Sequence, residues 1–197
     1  MLEKDKFLKK INYLVVFLII CLSKNLFAEN IISKLKNYNI KLNNSSAHFI
    51  QTNGKTIEEG LIYFGNKRIR IDYNKPVKLT LVMSESKGMY TNHELKESQF
   101  FNTNKSYVKF FFKIFDKKND LNSVNIDSKA DKIIISENLT LNNANYKIKI
   151  IYENNPVTLR RIRIESDGES LSIGFFNHNL EKSFEKKFFS MIDPYLL

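Results

Sequence analysis

Cysteine is nearly missing from this 197-residue chain: Cys21 stands alone, so an internal disulfide framework is excluded. The three histidines, His48, His93 and His178, are scattered, with no His-Glu-x-x-His pair and no cysteines beside them, which removes the usual zinc spacing. A nucleophile elbow is lacking too. The stretch GESLSIG from Gly168 to Gly174 has its second glycine two places late and reads instead as an alternating strand. Glu58 and Glu59 are adjacent, so on an extended chain they point to opposite faces, a poor arrangement for a paired acid and base. No enzyme, no metal and no cofactor is expected from these residues.

What is present begins with export. Lys4, Lys6, Lys9 and Lys10 precede the apolar run YLVVFLIICL from Tyr13 to Leu22, and SKNLFA follows, ending in the small residue Ala28. A basic start, a run too short for a permanent span and a small residue at the end predict a signal peptide over 1–28, cut before Glu29. Retention as an N-terminal anchor is the alternative. Lipidation of Cys21 would need a small residue just before it, where Ile20 stands. The remainder, 29–197, carries no linker and is expected to be one domain of ordinary globular composition, 43% hydrophobic and 26% charged.

The net charge is +10; the first 28 residues hold five lysines and two acids, +3, which leaves +7 for the domain. Such a charge raises nucleic-acid binding, but export argues against it, and no nucleic acid is expected. The bias of the chain toward Asn, Lys and Ile accounts for part of the excess. The rest suits contact with an acidic partner or an anionic membrane face.

Ile31, Ile32, Leu35 and Tyr38 recur at helical spacing and predict one short amphipathic helix. Strands dominate from Ser45: SSAHFIQT, GKTIEEGLIYF, KRIRIDY, VKLTLVM, GMYT and LKESQFF, then DKIIIS, ANYKIKIIYE, PVTLRRIRIES and ESLSIGFF, separated by brief turns such as Asp167-Gly168. About ten or eleven antiparallel strands at such spacing must curl or close, because a flat sheet of that width is unstable. In KRIRIDY, Arg68, Arg70 and Asp72 alternate with Ile69, Ile71 and Tyr73, which predicts a wet side and a hidden side.

One segment breaks the strand pattern. NKSYVKFFFKIF over residues 104–115 spaces Lys105, Lys109 and Lys113 four apart, a polar stripe on a helix. Tyr107, Val108, Phe110, Phe111, Phe112, Ile114 and Phe115 cover most of the remaining circumference. Such a helix must lie across something apolar, either as a plug filling the mouth of the sheet or as a movable lid over a cavity.

The run FIQTNGKTIEEGLIYFGNKRIRIDYNKP, then KLTLVMSESKGMY, and finally FFSMIDP from Phe188 to Pro194, resembles the periplasmic outer-membrane lipoprotein carrier protein (LolA) family. Phe49 and Gln51, Gly60, Arg70 and Tyr73, and Pro76 occupy, in order, the places of that family's Phe-x-Gln, strand-opening Gly, Arg-x-x-Tyr and Pro. The resemblance implies a mainly β fold with short helices, an unclosed antiparallel barrel with a helical lid. It implies residence in the periplasm as a monomer. The partners it implies are acylated lipoproteins, an inner-membrane lipoprotein-releasing ABC transporter and an outer-membrane receptor lipoprotein. On this reading Phe49, Ile69, Ile71, Tyr73, Leu81, Met83 and Tyr90 line the acyl-chain cavity, and Tyr107, Val108, Phe110, Phe111, Ile114 and Phe115 form the lid. The family's Arg-Pro turn, whose arginine holds the lid shut, is replaced here by Gly65-Asn66, with Lys67 and Arg68 the nearest substitutes. A receptor lipoprotein or a lipid-binding stress sensor of the same shape is the competing class.

Overall fold

The computed structural model describes residues 31–115 and 121–196; the predicted signal, its cleavage site and Cys21 lie outside them. Residues 31–42 are helical (α1), as the spacing of Ile31, Leu35 and Tyr38 predicts. The compact unit from Asn37 to Leu197 contains the sheet. Its strands are β1 (Ser45–Thr52), β2 (Ile57–Gly65), β3 (Arg68–Lys75), β4 (Leu79–Met83), β5 (Gly88–Asn92), β6 (Glu97–Phe101), β7 (Asn125–Ser128), β8 (Lys132–Leu141), β9 (Ala144–Asn154), β10 (Val157–Ser166) and β11 (Glu169–Asn179). The second helix, α2, is Val108–Phe115, preceded by a short 3₁₀ turn at Thr103–Lys105.

All eleven strands form one antiparallel sheet in the order β6-β5-β4-β3-β2-β1-β11-β10-β9-β8-β7, unclosed between β6 and β7. Nearly every neighbour is a hairpin, and the turn residues explain why. Leu141 pairs with Ala144 across Asn142 and Asn143, whose φ values are 51° and 65°; Ser166 pairs with Glu169 across Asp167 and Gly168 at 47° and 83°. Two consecutive positive φ angles match the right-handed twist of the strands they join, and Asn, Asp and Gly tolerate them best. The β2–β3 turn is one residue later than its Gly-Asn pair suggests: Gly65 closes β2 opposite Arg68, and Asn66 and Lys67 make the turn.

Register aligns apolar residues across the sheet on one face. Met83 lies opposite Ile69, which lies opposite Phe64; Leu81 opposite Ile71, which lies opposite Ile62. Farther round, Phe49 pairs with Phe175, and Ile162 pairs with Ile173 on one side and Ile150 on the other. Ile133, Ile135, Ile148, Ile150, Tyr152 and Leu159 are fully buried on this face. Tyr38 of α1 meets Tyr152 edge to face at 5.8 Å and accepts a hydrogen bond from the Leu159 N–H, beside the register shift at Arg160 where the ladder is interrupted.

The opposite face of β2 and β3 is not the wet side that the alternation predicts. The irregular segment after β11 runs across it. Phe184 and Phe188 pack edge-on against Tyr63, and Arg70 donates to the Phe188 carbonyl at 2.9 Å with its guanidinium 4.6 Å from the Phe188 ring centroid. Arg70 also grips Asp72 through Nε, at 2.9 and 3.0 Å. Gly65 fits beneath Phe189, whose ring would lie 2.6 Å from an added Cβ. Farther along, Thr80 links Asp72 to His93, and His93 meets the Tyr195 hydroxyl at 2.9 Å. Arg70 and Asp72 are thus half-covered by the C-terminal segment, while Arg68 stays exposed.

Candidate functional site: an apolar cavity beneath α2

The inner face of β1 to β4 and of β10 and β11 is not filled by its own side chains. Between it and α2 lies a cavity of about 150 Å³. From the sheet come Phe49, Ile62, Phe64, Ile69, Ile71, Tyr73, Leu81 and Met83, with Ile162, Leu171, Ile173 and Phe175 from the far strands. From the helix side come Tyr107, Val108, Phe111 and Phe115. Carbon and ring surface dominate, so the walls offer apolar area rather than directional bonds.

Gly60 shapes one wall. It sits between Phe49 on β1 and Tyr73 on β3 in the register. The two rings meet edge to face across it at 5.1 Å. A Cβ there would come within 2.0 Å of the Asp72 carbonyl oxygen, so the close approach of β3 requires glycine.

The few polar groups in the cavity are held neutral. Burial pushes the Tyr73 hydroxyl up to about 12, with the Glu58 charge adding to the effect. Its Oη donates to Gln51 Oε1 at 3.4 Å, while Gln51 Nε2 donates to Glu58 at 2.5 Å. Burial raises the Tyr107 pKa as well. Glu58 therefore stays tied at the rim through Gln51, and the interior presents no charge to a ligand.

Six of the seven residues expected to line the cavity do so: Phe49, Ile69, Ile71, Tyr73, Leu81 and Met83. Tyr90 does not. It lies directly opposite Leu81, on β5, one strand farther toward the open edge than the cavity extends. Of the lid residues, Tyr107, Val108, Phe111 and Phe115 line it; Phe110 faces a neighbouring groove, and Ile114 is 0% exposed. Sequence reasoning left out Ile62, Phe64, Ile162, Leu171, Ile173 and Phe175. Each alternates in phase with its strand, so period alone marks them as inward, but not as cavity rather than core.

Helix α2 is held at both ends. Ring contacts fasten one side: Tyr107 to Tyr146 at 5.7 Å and Phe115 to Phe64 at 5.5 Å. Near Phe115 the Ile114 carbonyl accepts a 2.7 Å hydrogen bond from Asn39 Nδ2. Asn39 is 2% exposed and comes from α1, a position that the pattern of apolar residues gives no reason to single out. Neither Lys67 nor Arg68 makes this contact; the Arg68 guanidinium lies 3.9 Å from Met191 Sδ.

No family model matches the chain, and no curated protein matches it. Among solved structures, an uncharacterized conserved protein from Thermus thermophilus is similar, at 8% identity and a TM-score of 0.48, covering 81% of this chain and 90% of that one. The hypothetical protein CT021 from Chlamydia trachomatis gives 10% identity and 0.36, over 75% and 93%. LprF from Mycobacterium bovis gives 13% identity and 0.34, over 77% and 92%.

Proposed function

We propose that this protein is an acyl-chain carrier of the lipoprotein-carrier (LolA) type. It shields the lipid of lipoproteins released from the inner membrane by an ABC transporter and delivers them across the periplasm to an outer-membrane receptor lipoprotein. It works as a monomer, without catalysis and without a cofactor.

The observation that carries this reading is the uncharged apolar cavity between the sheet and α2. Each methylene removed from water contributes about 0.8 kcal/mol, so a chain of about fifteen methylenes is held by roughly 12 kcal/mol of area alone and needs a shelter to leave a membrane. The cavity of about 150 Å³ is far too small for that chain. It is comparable to an engineered cavity that admits a benzene. On this reading α2 lifts for cargo to enter. Because the walls offer no directional bonds, a chain that enters can also slide out to a receptor.

Mass spectrometry of material co-purified with the exported protein tests the proposal. Acylated polypeptides are the expected finding. Recovery of a polar small molecule in their place would overturn it.

A further inference from the structure

Beside the apolar cavity lies a second, larger one of about 510 Å³, and the two differ in chemistry. Lys67 from the β2–β3 turn, Arg68 at the start of β3 and Lys109 and Lys113 from α2 line it, against two acids, Glu85 and Glu137. All four cations are exposed to solvent. Beneath them the floor is apolar, with Phe110, Phe112, Leu139 and Leu141. Lys67 has φ of 53°, a left-handed conformation in which glycine or asparagine is the less strained choice, so a charged side chain is kept at this tip at a local cost.

The two cavities are neighbours through a thin wall. Phe64, Ile69 and Phe115 line both, and the Phe64 and Phe115 rings meet edge to face at 5.5 Å. Phe115 belongs to α2, so lifting of that helix removes part of the wall and joins the spaces. A basic cleft alone would suit any small anion. What selects an amphiphile is a cationic rim that shares its wall with an apolar interior. We propose that the groove is a headgroup subsite: the protein takes an anionic, phosphate-bearing diacyl lipid, with the phosphate between Lys67, Arg68 and Lys109 and the chains beneath α2. This rests on the acyl-chain reading above and adds a second class of ligand, since the acyl anchor of a lipoprotein carries no phosphate.

Displacement of an apolar dye by two lipids with identical chains, dioleoyl phosphatidic acid and dioleoylglycerol, tests it. The wild type is expected to bind the phosphatidic acid about tenfold more tightly, the 1.4 kcal/mol that a few solvent-exposed charge contacts supply together. Lys67→Gly combined with Lys109→Gln should abolish that preference and leave dioleoylglycerol binding unchanged; glycine suits the φ at 67, so the fold is not at risk. Equal binding of both lipids by the wild type would overturn the headgroup site while leaving the carrier reading intact. Failure of both lipids to displace the dye would overturn the two together. Inorganic phosphate competing as well as the lipid would make the groove a free-anion site. An oligoglutamate peptide, bound as tightly and lost with the same substitutions, would make it a protein-docking surface. Either result contradicts the proposal.

Discussion

Asn39 Nδ2 donates a 2.7 Å hydrogen bond to the carbonyl of Ile114, joining the last turn of α1 to the C-terminal end of the helix that covers the cavity, with both residues buried. The bond ties α1 directly to the backbone of the covering helix. On the proposed carrier reading, this bond would hold the covering helix down over the cavity.

Replacing Asn39 by Ala should loosen the lid without unfolding the sheet. The substitution removes a buried hydrogen bond to the Ile114 carbonyl, a loss of about 1–3 kcal/mol, most of it borne by α2. Hydrogen exchange is expected to accelerate over residues 108–115 and an apolar dye to bind more strongly, with β8–β10 unchanged. Uniform acceleration across the sheet would show that Asn39 supports the core as a whole.

Gly65→Ala tests the C-terminal segment. The new methyl would meet the Phe189 ring at 2.6 Å, and a rigid ring wedged against a strand cannot yield as a flexible side chain does. A loss of about 1–3 kcal/mol is expected, together with faster proteolysis within residues 181–196. Unchanged proteolysis would mean that the segment rests on the Arg70 and His93 contacts instead.

Acid should weaken the fold through His178. Burial is the main cause holding this imidazole below its ordinary 6.5, and the nearby Arg160 charge adds to it. Protons then bind the unfolded chain more readily, so stability is complete above 6.5 and is lost as pH falls through the lower folded value. The melting temperature should drop as pH falls below 6.5, and His178→Gln should shrink that drop.

Much of this arrangement is legible in the sequence, for reasons that individual residues show. Alternation in Ile69, Ile71 and Tyr73 marks an inward face because a pleated strand has no other way to place every second side chain. The aromatic density of 107–115 marks a helix that must cover something. Tyr90 alternates correctly and still misses the cavity, since period reports the face and not how far along the sheet the helix reaches. The covering of Arg70 and Asp72 is invisible for a similar reason: the segment beyond Asn179 is irregular, and an irregular segment has no period to read. Asn39 is harder still, as one amide on a helix becomes informative only when the carbonyl it meets, 75 residues away, is known.

The most direct test of the cavity as an acyl-chain site is release of a fluorescent lipopeptide from membranes by Ile71→Glu, with folding checked by its melting curve. Ile71 is half-buried on the cavity wall, so an ionised group there keeps water while the space is empty and must surrender it when a chain enters. That desolvation costs several kcal/mol, enough to weaken acyl binding by orders of magnitude. The variant is expected to melt close to the wild type and to extract almost no lipopeptide. A variant that extracts it normally, or that fails to fold because the site is closed core, would contradict an acyl-chain cavity at this place.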